Sequence, residues 1–207
     1  MVKPALAKAG KATQDAAPAE SVRDRILTTA RELFYREGAR SVGVDTVVAQ
    51  SGVAKTSLYR WFPSKDALIG AVLEQEAADR WAGWDAVMQR AEPDARSQLR
   101  AQLAGIVKFT SHPRYRGCPF MNVSAEFPDQ NHPGRVVAKE LTEELRRRLR
   151  GLVDQLGVAN PEELSEQLVL LIDGAFSVAQ VLGSEGPQKY LVQTADALID
   201  AQVAKVR

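Results

Sequence analysis

From residue 21 onward the apolar residues recur every three or four positions, the period of a helix face, and no sustained period-two alternation suggests a strand. Ile26, Leu27, Ala30, Leu33 and Phe34 form the first stripe. The segment carrying it runs from Val22 to Glu37, with Ser21 placed to cap its start and Gly38 to stop it. A short helix is predicted at about Asp45–Gln50, then a tight turn at Ser51-Gly52-Val53, then a second short helix at about Lys55–Phe62. Pro63-Ser64 closes that helix and caps the next, which runs from Lys65 towards Arg90. Asp94 caps a helix to about Thr110, and Pro119 opens one to about Phe127. Pro128 to Gly134 is read as a break. Long helices follow at about Val136–Leu156, Pro161–Leu182 and Pro187–Val203, the second capped by Asn160 with Pro161 in its first turn. An all-α fold is expected. Residues 1–20, rich in Ala and Lys, read as a disordered arm, and no internal repeat is present at solenoid periods.

Composition adds bounds. The 207 residues are 45% hydrophobic, enough for one or two domains with sizeable cores. No unbroken apolar run reaches the roughly 18 residues of a bilayer span, and the first twenty lack the apolar stretch of a secretory signal. Cys118 is the only cysteine, so no intrachain disulfide can form and a cytoplasmic protein with no membrane partner is expected. The net charge of +1 divides unevenly. Residues 1–66 hold 11 Lys/Arg against 7 Asp/Glu, and residues 67–207 hold 16 against 19. A basic front on a slightly acidic body suits a polyanionic partner at the N-terminal side.

The two short helices carry the sharpest pattern. Val48-Ala49, then Gly52-Val53, then Leu58-Tyr59 and Phe62 has the spacing of a helix-turn-helix. Ala49 would be the small residue where the helices touch, and Gly52 would supply positive φ in the turn. Val48, Val53, Leu58 and Phe62 would lock the pair onto the first helix. Lys55, Thr56, Ser57, Tyr59 and Arg60 would remain on the outer face of the second, as hydroxyls, a phenol and cations suited to base edges and phosphates. Arg23 and Arg25, with Lys3, Lys8 and Lys11 in the arm, are further candidate phosphate contacts or ordinary solvated charge.

The stretch ILTTARELFYREGARSVGVDTVVAQSGVAKTSLYRWFPSKDAL, within about Arg25–Leu73, resembles the N-terminal domain of TetR-family (AcrR-like) regulators. It unites the first helix, the turn motif and the downstream Tyr59, Phe62 and Lys65. The resemblance implies a three-helix DNA-binding domain at 21–66 and a helical ligand-binding and dimerisation domain at 67–207. It makes Lys55–Phe62 the recognition helix, with Thr56, Ser57, Tyr59 and Arg60 as candidate contacts, Trp61 beside phosphate or sugar, and Lys65 gripping backbone phosphate. Three positions depart from the family pattern. Ala54 stands where a capping Ser is usual, Gly43 and Val44 replace hydroxyl residues, and Asp45 can cap the second helix but repels phosphate.

The implied partners are a double-stranded DNA operator, an unidentified small-molecule effector and a second copy of the chain. The last two helices are the expected dimer surface: Leu164, Leu168, Leu171, Ile172, Ala175, Phe176, Ala179 and Leu182 in one and Tyr190, Leu191, Ala195, Leu198 and Ile199 in the other give apolar surface wide enough to pack on their own domain and on a twin, and packing within one domain is the alternative for each residue. For the sensor, Trp81, Trp84, Met88, Phe109 and Phe176 bring bulky apolar surface, as do Phe120, Met121 and Phe127. Cys118, Asn122 and Glu126 form a polar stripe at four-residue spacing, and Asp173 interrupts the apolar run LVLLIDGAF. Each of these four polar groups either satisfies a structural hydrogen bond or meets a ligand.

The expected function is a repressor released by a small molecule; an activator of the same fold and a metal-responsive regulator are the alternatives. A metal site would draw on His112, Cys118, Glu126, Asp129 and His132, whose spacing matches no strong ligand pattern. A nucleophilic enzyme would need Cys118 with His112 or His132 and with Asp173 or Glu126, and no local signature supports it. A scaffold that keeps the fold without reading DNA would not need the cations of the recognition helix. No cofactor motif is present, and no metal is expected.

Overall fold

The computed structural model describes residues 21–204. The described residues form helices and turns with no strand, in the order α1 (Val22–Glu37), α2 (Val44–Ser51), α3 (Lys55–Trp61), α4 (Lys65–Arg90), α5 (Ala95–Thr110), α6 (Pro119–Glu126), α7 (Pro133–Val153), α8 (Pro161–Leu182) and α9 (Leu191–Ala204). Short 3-10 turns at Gly183–Glu185 and Pro187–Tyr190 join α8 to α9. The expected arm at 1–20, with Lys3, Lys8 and Lys11, lies outside the described residues.

Helix starts follow local chemistry. The side chains of Ser21, Ser64, Asp94 and Asn160 each accept a backbone N–H from the first turn of α1, α4, α5 and α8. Two starts differ from expectation. α2 begins at Val44 behind Gly43 with no side-chain cap, and Asp45 lies within its first turn instead of capping it. α7 begins at Pro133 and not near Val136, because the buried imidazole of His132 accepts the Gly134 N–H through Nδ1 and Pro133 sits at a position needing no donor.

One buried cluster runs from α1 to α9. In the N-terminal part Ile26, Ala30 and Leu33 of α1 meet Val47 of α2 and Leu58 of α3, all at 1% exposure or less. The packing has no gap at residue 66. Leu68, Ile69, Val72 and Leu73, in the first turns of α4, join this core and continue it towards α7. α4 crosses α7 closely enough that only glycine fits. A Cβ on Gly70 would stand 2.9 Å from the Pro133 Cβ, and one on Gly134 2.7 Å from a Val123 methyl of α6. α4 is therefore held where three elements converge, and its 26 residues carry that constraint from the DNA-binding half into the C-terminal half.

α8 has two apolar faces. Leu164, Leu168, Ile172, Ala175, Phe176 and Ala179 are buried, as are Leu191, Ala195 and Ile199 of α9. The stripes expected to pair with a second copy are thus mostly the chain's own core. The open face of α8 is another one, with Leu170 at 72% and Val181 at 79% exposure and Gly174 and Ser177 between them. Two apolar faces make Pro161–Glu185 long and apolar enough, by length and composition, to cross a bilayer. One of those faces is packed against α5, α7 and α9.

Candidate functional site

The left-handed turn at Gly52 (φ 64°) sets α3 across α2, and Leu58 and Phe62 anchor its inner side. Ala49 is solvent-exposed, so the contact between the two helices does not depend on it; Val47 and Ser51 face inward instead, while Val48 and Val53 are half-buried. On the outer side Lys55, Thr56, Arg60, Tyr59 (43%) and Trp61 (51%) are exposed, and Ser57 is half-buried. Two large aromatic rings in water beside two cations form a surface that a folded monomer has no internal reason to leave open. Lys55 pairs with Asp45 at 2.7 Å, and that bond raises its pKa. Arg23 lies over the Phe62 ring, 5.7 Å from its centroid.

Behind this surface two side chains converge on the backbone of Arg40, whose own side chain returns a third bond. Lys65 donates to the Arg40 carbonyl at 2.8 Å, and burial lowers its pKa. The Glu126 carboxylate accepts the Arg40 N–H at 2.5 Å, and the Arg40 guanidinium donates to the Glu126 carbonyl at 3.0 Å. The α1–α2 turn is thereby tied to the end of α6 and the start of α4. Glu126, for which a structural hydrogen bond and a ligand contact were both open, makes this interdomain tie and lies off the lining of both spaces described below; its position in the polar stripe gave no hint of a partner 86 residues away.

A cavity of about 380 Å³ opens in the C-terminal half. Trp81 and Trp84 of α4, Phe109 of α5 and Phe176 of α8 line it, as expected, together with Ile106, Leu141, Leu145 and Ile172. Met88 packs against the core and is not on the wall. Cys118 is buried with its sulfur 3.9 Å from an Arg80 guanidinium nitrogen, and Asn122 donates to the Arg116 carbonyl at 3.0 Å, so both lie off the lining. Asp173 is half-buried off the lining too; burial pushes its carboxyl up from the usual range, and the Arg80 charge offsets part of that rise. Four lining polar residues escaped the sequence reading: Glu76 and Asp79, both paired with Arg31, and Gln102 and Arg80. Gln102, whose amide donates to the Trp84 carbonyl at 2.9 Å, breaks the buried stripe of Leu99 and Leu103, which is a readable signal. Arg80 left none, being one more cation on a mixed helix face.

A second, wider space of about 880 Å³ adjoins the first and shares Glu76, Arg80 and Phe109 with it. It lies between α1, α4 and the α5–α6 loop. Arg31, Arg36, Arg80, Arg114 and Arg116 face it, against the carboxylates of Glu32 and Glu76. The phenols of Tyr35 and Tyr115 brace the loop. Tyr35 accepts the Arg116 N–H at 2.8 Å, and Tyr115 donates to the Phe176 carbonyl at 2.9 Å, its pKa raised by burial.

The groups considered for a metal or a nucleophile do not gather. Among the described residues no three His, Cys, Asp or Glu side chains form a metal site. His112 accepts the Arg114 N–H, Asp129 accepts the Asn131 N–H, and His132 caps α7 while stacking on Phe127 at 4.1 Å between centroids.

Residues 26–72 match the family described as bacterial regulatory proteins, tetR family, and residues 95–195 match the tetracyclin repressor-like C-terminal domain. A TetR-family transcriptional regulator from Streptomyces coelicolor has the same fold with a TM-score of 0.83 and 31% identity, over 88% of this chain and 96% of that one. A TetR-type regulator from Streptomyces avermitilis follows at 0.76 and 30%, over 88% and 98%. The HTH-type transcriptional activator FasR of Mycolicibacterium smegmatis is 32% identical over 95 residues, 46% of this chain and 43% of the relative. The HTH-type transcriptional repressor NemR of Escherichia coli is 28% identical over 108 residues, 52% and 54%. The relatives are DNA-binding regulators and not enzymes, and with both halves matched the chain belongs to the TetR family of transcriptional regulators.

Proposed function

We propose that the protein is a cytoplasmic, ligand-responsive repressor that binds a palindromic operator as a homodimer and is released by a small molecule. The carrying observation is the exposed face of α3, where Lys55, Thr56, Tyr59, Arg60 and Trp61 stand in water on a helix whose other side is anchored by Leu58 and Phe62. In this reading Ser57 adds a hydroxyl at the edge of the base contacts, and Lys65 exchanges or shares its Arg40 carbonyl for a phosphate oxygen. Residues 21–66 act as the DNA-binding unit and 67–207 as the sensor and dimerisation unit.

The unpaired face of α8 around Leu170, Gly174 and Val181 is the pairing surface, with α9 beside it. Gly174, with nothing within 4 Å of its Cβ direction, lets two copies approach closely. The effector enters the cavity at Trp81, Trp84, Phe109 and Phe176. Because α4 runs unbroken from Lys65 to those tryptophans, a change in its seating moves the recognition helices of the dimer relative to each other. The effector must bind the two arrangements unequally, with a coupling of about 1–3 kcal/mol typical.

Selection of bound duplexes from a random pool tests the DNA reading. A palindrome with half-sites about one helical turn apart is the expected product. No enrichment in dilute salt sinks it. An activator of the same fold gives the same palindrome but raises transcription from a promoter carrying it, and one of the named relatives is an activator.

A further inference from the structure

We infer that the effector is an amphipathic organic anion, its acidic head held by arginines in the space between the two domains and its apolar body in the tryptophan-lined cavity. The inference rests on the ligand-responsive reading above and adds the chemistry of the ligand and the place of its head.

The two spaces meet at Arg80. Its guanidinium lies 5.2 Å from the Phe120 ring centroid and 5.4 Å from that of Phe176, and its side-chain hydrogen bond is to the thiol of Cys118 at 3.9 Å. A guanidinium carries five donors in a planar fork, and a thiol is a weak acceptor. Among the described residues no carboxylate stands within ion-pair distance of Arg80; Asp173 reaches it only through the field it exerts. A half-buried guanidinium with unfilled donors beside a cavity is matched by a carboxylate or phosphate, which binds the fork in two-pronged fashion.

The neighbourhood favours the same sign. Arg114 and Arg116, on the outer rim, are exposed and carry no ion pair among the described residues. Arg31, by contrast, is already neutralised by Glu76 and by Asp79 at 2.7 Å. Two carboxylates, Glu76 and Asp79, do line the inner wall, and both are paired with Arg31; Arg148, off that lining, occupies one face of Trp81 with its guanidinium carbon 4.5 Å from the ring centroid, which closes that face to a lipophilic cation. The inner volume of about 380 Å³ lies at the small end of the roughly 300–1,000 Å³ range of ligand cavities, which suits an apolar body of modest size. A head in the outer space would touch α4 and the α5–α6 loop beside α1, so one molecule would contact both halves of the protein.

The test uses the full chain with Trp61→Phe, so that fluorescence reports Trp81 and Trp84 alone. Decanoate, decyl phosphate, 1-decanol and decyltrimethylammonium are titrated as chain-matched probes. Either anion is expected to bind at least tenfold more tightly than decanol, and the cation more weakly than decanol; whichever anion binds better identifies the head. Arg80→Gln should abolish the anion preference, and the double variant Arg114→Gln/Arg116→Gln, on exposed loop positions that leave folding intact, should reduce it. Equal binding of anion and cation overturns the inference. So does a preference that survives both variants, or no binding by any probe. Affinity for a duplex selected from a random pool is measured alongside on the chain with Trp61 intact, since that ring lies on the proposed DNA-contacting face. If decanoate binds through Arg80 but leaves DNA affinity unchanged, the ligand-responsive reading fails and the anion site stands. If DNA binds and no anion does, the anion site fails alone.

Discussion

Replacing Gly134 by Ala adds one methyl group where α4, α6 and α7 meet. The new Cβ would sit 2.7 Å from Val123 Cγ1, 3.1 Å from Ile69 Cγ2 and 3.3 Å from His132 Nδ1. Val123 is 5% and Ile69 1% exposed, and both are β-branched, so neither can swing away and the helices must part. Overpacking of this kind costs roughly 1–3 kcal/mol. Against it stands the helix propensity of Ala over Gly, at most about 1 kcal/mol and smaller in a first turn. A net loss of about 1–2 kcal/mol is expected, which for a chain of this size lowers Tm by about 2–8 °C. Gly151→Ala is the control. It lies on the same helix, exposed, with nothing within 4 Å of its Cβ position, so the same substitution should stabilise by up to about 1 kcal/mol. Thermal melts of both variants at one protein concentration, which a dimer requires, measure the difference. Shifts of the same sign and size would refute the claim that α4 and α7 are held by a glycine-only contact. Gly134→Ala should also weaken operator binding beyond its effect on stability, since it reseats α4; Gly151→Ala should not.

Four further outcomes follow from the geometry. Tyr59→Ala, which removes an exposed ring, should weaken DNA binding severalfold in a gel shift while the circular dichroism melt stays unchanged. Lys65→Gln should lower the slope of log affinity against log salt by about 0.9 per half-site if the ammonium neutralises one phosphate, and an unchanged slope would remove Lys65 from the contacts. Because burial raises the folded pKa of Asp173, ionisation favours the unfolded chain, and stability falls as pH rises from the ordinary Asp value of about 3.9 through the raised one. Asp173→Asn removes that penalty, so its Tm gain over the parent should grow from pH 4 to pH 7; a constant gain would refute it. Leu170→Glu with Val181→Glu should convert a dimer to a monomer in sedimentation, since both side chains are more than 70% exposed in the single chain.

The helices were legible because their signals are local. Ser21, Ser64, Asp94 and Asn160 cap where their side chains can reach the next turn, and the spans of α1, α4 and α8 follow from those caps and the apolar period. The start of α7 was not legible, because a histidine cap between Pro128 and Pro133-Gly134 reads as a loop until the imidazole is seen buried. On the candidate site the aromatic wall was visible as bulk at helical spacing, and Phe62 was separable from Tyr59 and Trp61 by its place in the motif. The fate of the polar stripe was not. Cys118, Asn122 and Glu126 share a helix face, yet Asn122 bonds a nearby loop carbonyl and Glu126 a turn far away in the chain. Spacing reports which residues share a face, and it carries no information about what that face meets.

That distinction explains why spacing alone does not say which apolar face of α8 looks outward. A helix period is satisfied equally by an inward and an outward apolar stripe, and α8 carries both, on nearly opposite sides of the helix. Leu168, Ile172, Ala175 and Ala179 are the stronger stripe and they close the chain's own core, next to the cavity that Ile172 and Phe176 line. Leu170, Gly174 and Val181 are the weaker one and face water. One helix therefore lines the cavity on one side and leaves the proposed pairing face open on the other. A ligand seated against Phe176 and a second copy seated against Gly174 would be separated by the width of a single helix, and with α4 on the opposite wall of the same cavity the ligand would stand between the part that pairs and the part that carries DNA contacts.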